Sequence, residues 1–352
     1  MATEQPKMVA RYVNLWHNPR NAIESLTLHR LITTSTPSPV AGGTGVSSLV
    51  VGSLKYGEML VAPADLTIDD WAAPCAYAQT ELVRCLFRLF KGQLLVPGES
   101  AATSLPLTPL GRIGTLGPDP RDVYDAFDIT ESTTSYPALW GAKGISRLAQ
   151  KPNMYLEPLP KARKGRNLRK VEDLWPKAGR VLLTQRPWLN TKCVTAVRFT
   201  HKALADVWWP FTFSNGKNAE QLEKALVLWL NSTPALILLL GHREETRGAW
   251  IQFKKPSLER LPVLDVTSLN PSVATKLASV FDKVANRQIL PFPEMADDPV
   301  RAEIDTEIST SLGLPSLHGL RELLSREPIF GLSMKSLVSD TPSQMVLEPT
   351  AQ

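Results

Sequence analysis

The stretch from Asn218 to Gly241 constrains this chain most. Residues 225–240 are almost wholly apolar, but Asn231, Ser232, Thr233 and Pro234 interrupt them. The uninterrupted pieces fall short of the roughly 20 residues that a membrane-spanning helix needs. Leu222, Ala225, Leu226 and Trp229 share one face of a helix over 218–230. Thr233 and Pro234 restart a second, shorter helix, which Gly241 is expected to stop in a left-handed conformation. Two apolar helices joined at a polar corner need a substantial core around them, and 352 residues with 43% hydrophobic content can supply one. The length suits two domains, or one large and one small.

Around that centre the pattern alternates. A strand is predicted over Val9–Leu15, then a short helix capped by Asn18 with Pro19 at its first position and Ile23, Leu26 and Ile32 on its apolar side. Strands follow at 48–54 and 58–62, turning at Lys55, Tyr56 and Gly57, and a helix at 69–91. A polar break at 98–107 suggests a boundary near residue 100. From there to about 215 short strands dominate, clearest at 181–184 and 194–199, with another strand at 248–253. Asn270 and Asp298 each precede a proline and cap helices, the second stopped by Gly313. A last amphipathic piece carries Leu320, Leu323 and Leu324, and the polar tail from about Ser336 is expected to be mobile.

Three cysteines, Cys75, Cys85 and Cys193, are too few and too scattered for a disulfide framework or a zinc site. Reduced core thiols and a cytoplasmic location fit them best, and the polar N-terminus shows no secretory signal. The five histidines have no metal-ligand spacing. Ala41 to Gly45 lacks the Gly-Lys-Ser/Thr ending of a phosphate loop and is better explained as a turn. Pro118-Asp119 has no acid-x-Lys partner, so a nuclease centre is not supported.

The net charge is only +5, but the positive charge is concentrated. Six of the ten residues from Lys161 to Lys170 are basic, and no acid interrupts them. Arg163, Lys164, Arg166, Arg169 and Lys170 are therefore candidate phosphate contacts, against the alternative of a solvated surface loop. Arg186 and Lys192 flank Trp188, and Arg243 and Arg247 lie in the Gly241–Gly248 segment beside Glu244 and Glu245. These two loops are candidate base readers, the second alternatively a surface loop with internal ion pairs. Trp208 and Trp209 could offer stacking platforms, but a β-rich setting favours core packing.

Four stretches together resemble a known family: 107–127 (LTPLGRIGTLGPDPRDVYDAF), 135–141 (SYPALWG), 183–191 (LTQRPWLNT), and 228–233 (LWLNST) running on to 261–265 (LPVLD). In this order they are similar to the C-terminal target-recognition part of large adenine-specific DNA methyltransferases of type IIG restriction-modification and phage-defence systems. Residues 13–21 (VNLWHNPRN) look like the last strands of the methyltransferase core. The resemblance implies a mixed α+β chain: a partial methyltransferase-core segment at 1–100, a β-rich target-recognition domain at 101–265, C-terminal helices at 266–335 and a mobile tail at 336–352. It also implies that Asn190-Thr191 and Asn231-Ser232-Thr233 are hydrogen-bonding turns.

The family's Gly-rich S-adenosylmethionine turn and its Asn/Asp-Pro-Pro-Tyr/Phe catalytic loop are both missing, and no Pro-Pro pair occurs anywhere. The expectation is a DNA-recognition module without catalytic residues or a cofactor of its own, from a split gene or a fragment. Double-stranded DNA would be one partner. A methyltransferase catalytic subunit carrying S-adenosylmethionine, or other defence-system proteins, would be another. The alternative is a scaffolding subunit of a defence complex, docked through the apolar helices at 272–287 and 299–325. An independent enzyme such as a nuclease has the least support.

Overall fold

The computed structural model describes residues 9–34, 45–63, 77–99, 101–215, 218–247 and 250–331. The fold is mixed α+β, as expected. The helices Ala219–Leu230 and Thr233–Gly241 form its centre, bent by 74° at the polar corner. Every residue of the second helix is buried. Among the described residues no single helix is long and apolar enough to cross a membrane.

Beside this corner lies an eight-stranded sheet. Its path runs Gly114–Leu116, Trp208–Phe213, Gly179–Thr184, Ala196–Ala205, Pro137–Leu139, Met154–Pro158 and Phe127–Thr130. Ala149–Gln150 adds to Ala196–Ala205 off that path. Most pairs are antiparallel, but Ala196–Ala205 meets Pro137–Leu139 and Ala149–Gln150 in parallel. Trp208 and Trp209 are buried among these strands, which settles them as core. Leu107–Pro109 pairs antiparallel with Pro262–Leu264, joining the first and last of the four stretches. The helices Pro271–Val284 and Pro299–Leu312 turn their apolar sides inward, and the main core runs without a break from Leu60 to Phe330. Their apolar faces are thus spent on this chain's own interior and do not offer a docking surface.

Asn231 fills the corner as the sequence pattern suggested. Its side chain accepts from Thr195 N at 2.9 Å and donates to the carbonyls of Ala196 (2.9 Å) and Val227 (2.8 Å). Ser232 Oγ donates to Trp229 O at 2.7 Å. Asp305 accepts from Thr233 N (2.9 Å), Thr233 Oγ1 (2.7 Å) and Arg321 Nη1 (2.9 Å). Buried Arg301 donates to Cys193 O and lies 3.5 Å from Asp298. Most polar groups at the bend are thereby matched to a partner, as burial favours, with Trp229 Nε1, Arg301 Nε and Arg321 Nε left without a hydrogen bond.

Several local expectations shift. The first helix is Ala22–Thr34, capped by Asn21, whose Oδ1 accepts from Glu24 N at 2.9 Å. It docks through Glu24 and Leu28, because Arg20 and Tyr56 both bind Glu24. Those partners hold the Glu24 carboxyl down to about 2. Ile23 and Leu26 are 77% and 69% exposed, so they do not form the buried side. The hairpin turns at Gly52 (φ +62°), joining Gly45–Val51 to Leu54–Pro63, and residues 55–57 lie within the second strand. Gly57 is there because a Cβ would lie 1.9 Å from Asn14 O. Gly241 is the last residue of its helix and is not left-handed: His242 N and Arg243 N satisfy the final carbonyls. Gly313 does stop its helix at φ +65°.

The helix expected at 69–91 is observed as Thr80–Leu89, and the strand expected at 194–199 as Ala196–Ala205. Residues 64–76, the segment Ala41–Thr44, Cys75 and the tail lie outside the described residues. Cys85 and Cys193 are buried free thiols.

Candidate nucleic-acid interface

The basic run is not bare. Upstream, Asp119 caps the short helix Pro120–Tyr124, accepting from Arg121 N at 2.8 Å. Asp122, Asp125 and Asp128 follow at intervals of three. The loop after Leu159 lies antiparallel along them, with Arg169 N donating to Asp125 O at 3.1 Å. Arg163 reaches Asp128 at 2.7 Å, Arg166 binds Asp125, and Arg169 reaches Asp122 at 3.1 Å. Arg163 also donates to the carbonyls of Tyr124 and Phe127 and stacks 4.0 Å over the Tyr124 ring. Its partner Arg166 holds the Asp125 carboxyl below the usual range. Three arginines thus zip onto three aspartates in reverse order. The run looks unopposed only along the sequence. Lys161, Lys164 and Lys170 are exposed and have no such partner among the described residues.

The same short helix borders a cleft of about 390 Å³, whose lining includes Arg121, Gln185, Arg186, Trp209, Gln252 and Lys254. Besides that helix, three further segments build it. Gln185 ends the Gly179–Thr184 strand, and its backbone is clamped by Val207 O and Phe253 N, each at 2.9 Å. Trp209 Nε1 donates to Phe253 O at 3.0 Å and closes the floor. The third wall is the start of the Lys255–Arg260 helix.

The cations here differ in availability. Arg121 is paired with Asp119 at 3.0 Å and Lys254 with Glu244 at 2.7 Å. Lys255 Nζ donates to Leu116 O at 3.0 Å. Exposed Arg186 has no hydrogen-bond or ion-pair partner among the described residues, although its charge helps to lower the Asp119 carboxyl. Burial raises that of Asp206, even though the backbone of Gly141 and Val207 donates to it.

Next to the cleft, Glu244–Arg247 and Trp250–Gln252 form a two-stranded ribbon. Trp250 bridges to Trp188, their rings 5.0 Å apart edge to face, and stays 42% exposed. An unpaired arginine beside a partly exposed indole pair can contact phosphates and stack on bases.

The remaining candidates fall elsewhere. Arg243 is half-buried and donates to Leu240 O at 3.0 Å, against its own helix end. Arg247 lies in the ribbon, but its side chain is outside the described residues. Asn190 and Thr191 form the turn that carries Lys192 inward.

Lys192 departs from the expectation. It is 4% exposed, with Nζ 3.6 Å over the Trp208 ring and no hydrogen-bond partner. Its ammonium cannot meet a phosphate from there. Burial pulls its pKa from 10.5 down to about 7. Between those values the folded chain holds the amine neutral while the unfolded chain holds it charged. The unfolded state then binds more protons, so stability rises with pH from about 7 to about 10. Cation–π attraction of about 2 kcal/mol offsets only part of a desolvation cost of several kcal/mol. Lys192→Met should raise Tm at pH 7 and flatten this rise in a pH series of thermal melts. Parallel melting profiles from pH 7 to 10 in wild type and Lys192→Met would refute the assignment.

Arg121, Lys254, Gln185 and Gln252 were missed in the sequence, because they converge from separate segments. Among the described residues no group of three or more His, Cys, Asp or Glu side chains could hold a metal ion.

No protein-family model and no curated protein sequence matches the chain. Among solved structures it is similar to the type IIG restriction endonuclease BpuSI, at 11% identity and a TM-score of 0.36. The alignment covers 82% of this chain and 44% of that enzyme, so the chain spans less than half of its length.

Proposed function

We propose that this chain is a double-stranded DNA recognition module that works with an adenine methyltransferase part, on a partner subunit or elsewhere on a longer chain, which would bind S-adenosylmethionine. The observation that carries the DNA reading is the cleft: Arg186 without a hydrogen-bond or ion-pair partner among the described residues, three further cations around it, and the half-buried Trp188 packed on exposed Trp250 at its side. The adjacent ribbon has the shape that enters a major groove. Lys161, Lys164 and Lys170 extend the positive surface beyond the cleft. The four sequence stretches support the methyltransferase context, and the absence of a Pro-Pro catalytic loop supports a recognition role.

Fluorescence anisotropy on short duplexes across a salt series tests this. Binding should weaken linearly on a log–log plot, and Arg186→Ala should flatten the slope by about 0.9, the loss of one phosphate contact. An unchanged affinity and slope in Arg186→Ala would remove the cleft from the interface. No salt-dependent binding by the wild type would end the DNA reading itself.

A further inference from the structure

We propose that the 390 Å³ cleft is a pocket for a single unstacked nucleobase, with the Gln185 amide reading its edge; this rests on the DNA reading above. The first argument is shape. Base edges in an intact duplex lie recessed in grooves and are met by convex elements such as helices and ribbons. A concave cleft receives something that protrudes, and a base swung out of its stack protrudes.

The second argument is an unspent amide. Gln185 is 5% exposed, and its side chain has no hydrogen-bond partner among the described residues. The amide is not among the fully buried unpartnered groups, so it opens into the cleft it lines and is free to meet an occupant's donor and acceptor there. Its backbone is fixed on both sides, which presets the direction of the amide. Gln252 lines the same cleft from the adjoining segment and also has no side-chain partner among the described residues. A planar amide offers one donor and one acceptor, the pattern that matches a base edge in bidentate fashion.

The third argument is the rim. Arg186 is placed to hold the phosphate next to the swung-out nucleotide, and Pro120 and Pro256 supply apolar walls. Asp206 also lines the cleft, its carboxyl already accepting from two backbone amides.

The test compares a duplex containing one bulged nucleotide with the same duplex fully paired, using 2-aminopurine at the bulge. The wild type should bind the bulged duplex about tenfold more tightly, because that base no longer has to be unstacked. Its 2-aminopurine emission should also change on binding. Gln185→Leu, similar in volume, should bring the two affinities within about twofold, chiefly by weakening the bulged duplex, with the salt slope unchanged because no phosphate contact is removed. Gln252→Leu, at a half-buried position, should lower the preference in the same direction, and it provides the result if Gln185→Leu fails to fold. A wild type that binds both duplexes equally, or variants that keep the full preference, would overturn the pocket while leaving DNA recognition standing. A wild type that binds neither would overturn both.

Discussion

Asp305→Ala is expected to destabilise the chain by about 3–5 kcal/mol, because it leaves the buried Arg321 charge without its partner. Asp305 and Arg321 are both nearly inaccessible, and they meet at 2.9 Å. The same carboxylate takes both the backbone N–H and the hydroxyl of Thr233, the first residue of the fully buried helix. Its loss therefore also uncaps that helix. Tm should fall by roughly 10 °C in a thermal melt. Pairing the change with a second should recover much of the loss: Asp305→Leu with Arg321→Met removes both charges and keeps apolar volume. If the single variant melts within a degree or two of wild type, this network does not lock the C-terminal helices to the core. If the double variant is no better than the single, the damage lies in the lost Thr233 contacts and not in the stranded charge.

This corner was legible in outline from the sequence. An apolar stretch broken by Asn-Ser-Thr-Pro implies two helices and a polar elbow, and capping signals at Asn270 and Asp298 gave the next two helices. Each signal is local: a cap and its helix lie within a few residues of each other. What the elbow binds was not legible. Arg301, Asp305 and Arg321 lie about seventy residues or more downstream of Thr233, and nothing in their spacing marks them as its partners. The first helix was misplaced for a similar reason. Asn18-Pro19 is a sound start signal, but a tertiary contact, Tyr56 to Glu24, fixes which face turns inward.

The candidate site shows the same division. Arg186 was legible as a cation beside an aromatic residue. The cleft around it was not, since Arg121, Gln185, Gln252 and Lys254 come together only when three segments fold. Lys192 was misread because a lysine in a basic, aromatic neighbourhood looks exposed in sequence. The Trp208 ring that covers it lies on a strand sixteen residues further on. Composition also hid the most consequential feature of the basic run, its neutralisation by acids some forty residues earlier.

That neutralisation leads to the second large effect. The double variant Asp122→Asn with Asp125→Asn should bind duplex DNA about tenfold more tightly at low salt and steepen the log–log salt slope by up to about 1.8. Asparagine keeps the shape and can still accept a hydrogen bond, so the loop should stay on its track while Arg166 and Arg169 lose their counter-charges. Exposed ion pairs are worth at most about 1 kcal/mol, so phosphates can compete for these arginines even in the wild type. With the carboxylates present, each phosphate must first displace one; without them, Arg166 and Arg169 join the exposed lysines in facing the solvent uncompensated, while Arg163 stays paired with Asp128. Melting curves should fall only slightly below wild type, since Arg166, Arg169 and Asp122 are partly exposed and only Asp125, at 11%, is largely covered. Higher affinity with an unchanged salt slope would point to a rearranged loop, not to released charge. No change in either would mean that the 161–170 segment stays off the DNA, leaving the cleft at Arg186 to carry the contact alone.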